Sequence, residues 1–89
     1  MNNARRKEIA TILEQLREIE ILIQALPSIR DLADAEREAY DNMPEGLQNS
    51  ERGQQADAAA TALETAADTF ESVETDIASM IDDLTTAEE

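Results

Sequence analysis

The chain has no cysteine, no histidine and no tryptophan, and only one tyrosine, one phenylalanine, two glycines and two prolines in 89 residues. Without Cys and His it lacks a thiolate nucleophile, an imidazole base and the two favoured zinc ligands. It forms no disulfides, which fits a reducing compartment and makes the cytoplasm the expected location. Scarce aromatics and turn residues argue against a β-rich fold. A basic start, Arg5-Arg6-Lys7, is followed by Glu8, Glu14, Gln15 and Arg17, so no apolar signal core forms there. Nowhere is there a run of about 18 apolar residues that would read as a membrane span.

Basic residues are also scarce and unevenly placed. Residues 1–30 hold five basic and four acidic side chains, residues 31–53 two and seven, and residues 54–89 none and ten. The formal net charge is −14. A surface of that sign repels phosphate backbones and anionic lipids, so direct nucleic-acid binding and membrane binding are not expected.

What the chain has is helix-forming residues in heptad order. Ala56, Ala59, Leu63, Ala66, Phe70, Val73, Ile77, Met80 and Leu84 follow one another at alternating steps of three and four. That spacing is the mark of a helix packing along a narrow seam on another helix. Ile9, Ile12, Leu16, Ile19, Ile23 and Leu26 repeat the pattern in the first third, with Leu13, Ile21 and Leu22 as apolar excess. The excess implies a second packing surface, so these three are candidate self-association residues and a homo-oligomer is expected.

Start and stop signals divide the chain. Asn2 or Asn3 is positioned to cap a first helix, and Ser28, with Asp31 three residues on, to cap a restarted one after Pro27. Sequence leaves open whether Pro27 makes two helices or bends one. The restarted segment has a weaker apolar face of Ile29, Leu32, Ala33, Ala39, Tyr40 and Met43. Asp41 to Gly46 reads as a turn in which Pro44 pushes Met43 out of the helix and Gly46 tolerates a left-handed conformation. Ser50 caps the last helix, with Gly53 as a weak point in its first turn.

The expected architecture is therefore a single all-α domain, 1–89. It is an antiparallel, coiled-coil-like helical hairpin, self-associating into a bundle. Its first arm covers about 3–42, the turn about 43–49, the second arm about 50–84, and residues 85–89 fray. Antiparallel pairing sets small Ala56, Ala59 and Ala60 opposite Tyr40 and Met43. It also brings Arg5, Arg6 and Lys7 toward Asp82 and Asp83, where the charges correct unfavourable helix-dipole placements.

Candidate chemistry rests on the acids. Asp57, Glu64, Asp68, Glu71, Glu74, Asp76, Asp82 and Asp83 flank the second seam with no Lys or Arg after Arg52. An ordinary solvated helix mixes signs to gain i,i+4 pairs. This one invites a reading as a phosphate-like array that docks on a nucleic-acid-handling protein, against the plainer reading of a solubilising face. The adjacent pairs Asp82-Asp83 and Glu88-Glu89 do not face one another on a helix, and no alternating calcium loop is present. No enzymatic activity, metal or cofactor is expected. A lesser possibility is a nucleotide sponge, which needs Arg17, Arg30 or Arg37 gathered at an oligomer interface. Tyr40, beside the turn, is either an interface anchor or a filler of the space left by the alanines opposite.

The string Tyr40-Asp41-Asn42-Met43-Pro44-Glu45-Gly46-Leu47-Gln48, followed by Ser50, Arg52 and Gly53, resembles a group of short acidic helical proteins of phages, prophages and mobile elements. Those share a Tyr-Asp-Asn-x-Pro-x-x-Leu-Gln-x-Ser-x-Arg-Gly turn before a long Ala/Glu-rich helix, and most have no assigned activity. The resemblance covers about Tyr40 to Leu84. By analogy of genomic company and charge, it implies a non-enzymatic inhibitor of a host nucleic-acid-handling defence protein, of the anti-CRISPR or anti-restriction kind. The alternative is a coiled-coil assembly module whose acids only confer solubility.

Overall fold

The computed structural model describes residues 2–89, and among them it is all-α. Four helices follow in chain order: α1 (Asn3–Gln24), α2 (Ile29–Asp41), α3 (Glu45–Gln48) and α4 (Glu51–Glu88). The Asn2 side chain caps α1 by accepting from the Arg5 amide at 2.9 Å. Ahead of Pro27 the last turn of α1 tightens, with Leu26 N–H donating to the Ile23 carbonyl at 3.2 Å. Proline has no N–H and disfavours a helical residue before it, so the chain leaves the helix. Ser28 then caps α2 through its hydroxyl, which accepts from the Asp31 amide at 3.0 Å. Pro27 thus separates two helices.

The stretch after Asp41 is more helical than its residues suggested. Pro44 opens the one-turn α3, accepting from the Leu47 and Gln48 amides at 2.9 and 3.0 Å. Gly46 lies inside that turn, and no glycine among the described residues has positive φ. Ser50 starts α4 as expected, its hydroxyl accepting from the Gly53 amide at 3.3 Å. α4 continues for 38 residues to Glu88, so the expected fraying from residue 85 is not seen.

The chain divides into two compact units, and α4 runs through both. One consists of the described residues up to Leu26 with Ser72–Glu89, the other of Pro27–Glu71. In the first unit α1 lies antiparallel to the end of α4, so that Asn3, Arg6, Lys7 and Ala10 border a shallow groove with Glu88. Leu13 and Ile77 are its buried residues. Ile9, Leu16, Glu20 and Ile23 of α1 and Glu74, Ile81 and Leu84 of α4 are half-buried around them. In the second unit α2 and α3 pack on the start of α4. Its buried positions are small: Ala33, Gly53, Ala60 and Ala67.

These residues correct the phase of the seam. Ala56, Leu63, Phe70, Ile77 and Leu84 face inward as expected, but the alternate positions are Ala60, Ala67, Glu74 and Ile81. Ala59, Ala66, Val73 and Met80, one residue earlier, are exposed. α1 shows the same displacement: Leu13 and Glu20 face inward, while Ile12, Ile19 and Leu26 are exposed. Leu13 is therefore a core residue and not part of an external surface. On α2, Ala33 and Tyr40 turn inward, as does Met43 just beyond its end, whereas Leu32 and Ala39 do not.

Candidate functional site

Small residues in the second unit let α2 lie close to α4, since interhelical distance follows side-chain size. That closeness places two arginines of α2, seven residues apart, against acids of α4. The Arg37 guanidinium donates to Asp57 Oδ1 at 2.8 Å, to Glu64 Oε1 at 2.9 Å and to Thr61 Oγ1 at 3.1 Å. It also lies 5.5 Å from the Tyr40 ring centroid, in cation–π range. Arg30 grips Glu71 with two hydrogen bonds of 3.1 Å and also bonds Asp68. Such forked contacts hold both direction and distance, which a lysine does not reproduce.

The proton affinities follow. Hydrogen bonds donated to Glu71 and then to Asp68 raise the Arg30 pKa. Those donated to Glu64 and then to Asp57 raise that of Arg37. Glu64 is held below its ordinary value of 4.5, chiefly by its hydrogen bond from Arg37.

The eight acids singled out on the last helix therefore do not form one uniform ridge. Asp57, Glu64, Asp68 and Glu71 are occupied by Arg30 and Arg37. Asp76, Asp82 and Asp83 are exposed, and Glu74 is half-buried in the seam of the first unit. Arg6 and Lys7 border the groove at Glu88 and not Asp82 or Asp83, and no ion pair closes there among the described residues. Of the three arginines a nucleotide sponge would gather, Arg17, Arg30 and Arg37, the last two each hold two carboxylates within the chain.

Charge nevertheless remains in excess. Taking the four paired acids from 21 leaves 17, and taking two arginines from seven basic residues leaves five. Each arginine meets two carboxylates, so even the paired clusters stay net negative. Asp31, Asp34, Glu38 and Asp41 form an exposed row on α2 at steps of three and four, a pattern that sequence inspection passed over. Its signal was the same heptad spacing applied to acids rather than to apolar residues.

The turn string has structural tasks. Gln48 Nε2 donates to the Tyr40 carbonyl at 3.0 Å, closing the end of α2. Asn42 ends that helix, Pro44 opens α3 and Ser50 opens α4. Gly53 is packed so closely that a Cβ there would sit 2.2 Å from the Leu47 carbonyl oxygen and 2.4 Å from that of Gln48. It is a contact point and not a weak one. Tyr40 is half-buried beneath Arg37, which favours the packing role over the interface anchor. Leu47 and Arg52 remain exposed, as does Asp41.

Among the described residues no group of acids is arranged to hold a metal ion, and no helix is long and apolar enough to cross a membrane. No protein-family model matches the sequence, and no curated protein or solved structure is significantly similar to it.

Proposed function

We propose that the protein works without catalysis, as an acidic helical binding protein that docks on the basic surface of a nucleic-acid-handling protein. A phage-type inhibitor of host defence is the role this fits. The observation that carries the reading is the 17 acids outside the arginine pairs, set against five basic residues that do not offset them. Carboxylates repeating every three or four residues of helix stand about 5 Å apart along its axis. Such a row attracts a groove lined with Lys and Arg over long range.

The second unit supplies the docking face in this reading. Asp31, Asp34, Glu38 and Asp41 are exposed on α2 and make no side-chain ion pair among the described residues. Neutralising Asp57, Glu64, Asp68 and Glu71 instead would strip the partners from Arg30 and Arg37, so that variant disturbs packing as well as charge. The test is a pull-down from host lysate with the intact chain, repeated with Asp34→Asn, Glu38→Gln and Asp41→Asn together. The captured protein should be displaced by nucleic acid, should bind less at higher salt, and should bind the triple variant at least about tenfold more weakly. Capture that ignores both salt and the triple variant refutes the reading.

A coiled-coil assembly role is the second reading, favoured by the large apolar residues exposed on α1 and the end of α4.

A further inference from the structure

The first unit leaves an apolar face uncovered. Ile12, Ile19 and Leu22 of α1 and Val73 and Met80 of α4 are each 41–69% exposed. Each stands one residue before an inward-facing position: Leu13, Glu20 and Ile23 on α1, Glu74 and Ile81 on α4. An antiparallel helix pair has a pseudo-two-fold axis perpendicular to the plane of the two helices. Rows displaced by the same step from the seam on both helices therefore share one side of the pair. The five residues form a single two-helix face, while Ile21, one step out in the other direction from Glu20, points away from it.

We propose that a second copy of this chain covers this face, pairing two helices with two in a four-helix bundle. The pattern supports it. Ile12 and Ile19 on α1 and Val73 and Met80 on α4 recur at the heptad interval, with Leu22 three residues after Ile19, a period that another helix of the same repeat accepts. Charge agrees as well: Arg5 lies one heptad before Ile12 and makes no ion pair among the described residues. A two-fold axis along the bundle sets it level with Glu88 of the other copy, because α1 begins beside Glu88 within one copy.

This inference concerns a different surface from the acidic row of α2 and does not depend on it. Sedimentation equilibrium of the intact chain from about 1 to 100 µM tests it, with circular dichroism to follow helix content. The expected mass is twice 9.8 kDa. Ile19→Asp combined with Val73→Asp should retain helix and raise the dimer dissociation constant about 100-fold or more, because a carboxylate buried without a partner is strongly disfavoured. Ile21→Asp, a like change on the opposite side, should leave the dimer intact. A monomeric wild-type chain at 100 µM overturns the proposal. So does a dimer that Ile21→Asp dissociates, or one that survives the double variant. If the double variant loses helix, Leu22→Asp, at the most exposed of the five residues, decides between the same outcomes.

Discussion

Replacing Gly53 by alanine puts the turn geometry to a quantitative test. In an ordinary helix the change is favourable by about 0.8–1 kcal/mol, because alanine loses less backbone freedom. Here the added carbon falls 2.2 Å from the Leu47 oxygen, 2.4 Å from the Gln48 oxygen and 2.6 Å from the Gln48 carbonyl carbon. Non-bonded atoms rest at roughly 3.5–4.0 Å, so α3 and α4 must separate by more than about 1 Å. The obstructing atoms are main chain, and no rotamer change removes them. Overpacking of this kind costs about 1–3 kcal/mol, or more where the backbone resists. With the helix gain subtracted, a net loss of up to about 2 kcal/mol remains. For a chain this size that lowers the melting temperature by up to about 16 °C. Gly46→Ala is the matched control, since nothing lies within 4 Å of a Cβ there. It should melt at or slightly above the wild type. Thermal melts followed by circular dichroism at 222 nm read both. A Gly53→Ala chain as stable as Gly46→Ala would refute the close approach of α3 to α4.

Two further outcomes follow from the arginine clamps. Arg37→Lys keeps the charge but not the fork, and should loosen α2 from α4. The lone Tyr40, stacked on that guanidinium at 5.5 Å, should report this as altered tyrosine fluorescence, and unchanged emission would count against the clamp. The same contact has a pH signature. Glu64 in the folded chain takes up a proton only below its ordinary value of 4.5, so the unfolded chain binds that proton first as pH falls. Its contribution is complete above 4.5 and is lost as pH drops through the lower folded value. The melting-temperature gap between wild type and Arg37→Gln should therefore narrow below pH 4.5, and a gap that widens there would be inconsistent with this linkage.

The legible and illegible parts of this fold have separate causes. Caps at Asn2, Ser28 and Ser50 were readable because a side-chain oxygen before a helical run has one favoured use. The inward positions Ala56, Leu63, Phe70, Ile77 and Leu84 were readable because their neighbours are mostly polar or small. The alternate row was not, because apolar residues come in adjacent pairs: Ala59 with Ala60, Ala66 with Ala67, Met80 with Ile81, Ile12 with Leu13. Hydrophobicity does not choose within such a pair. Gly53 does, since counting by sevens from it reaches Ala60, Ala67, Glu74 and Ile81. A second clue lay in the charges. Arg30 and Arg37 are seven apart, as are Asp57, Glu64 and Glu71, and matched heptads of opposite sign on antiparallel helices predict flanking bridges. Read as a uniform acidic face, those residues were assigned outward when half of them turn to α2.

The unbroken length of α4 makes it a ruler for the chain. Deleting one residue near Thr65 would turn everything beyond it by 100° and draw it back about 1.5 Å. Phe70 and Ile77 would then leave the positions that α1 and α2 require, although no contact residue had been altered. Length changes in this helix should be tolerated in steps of seven and in few others, so its natural variants are expected to differ by substitution and hardly at all by insertion.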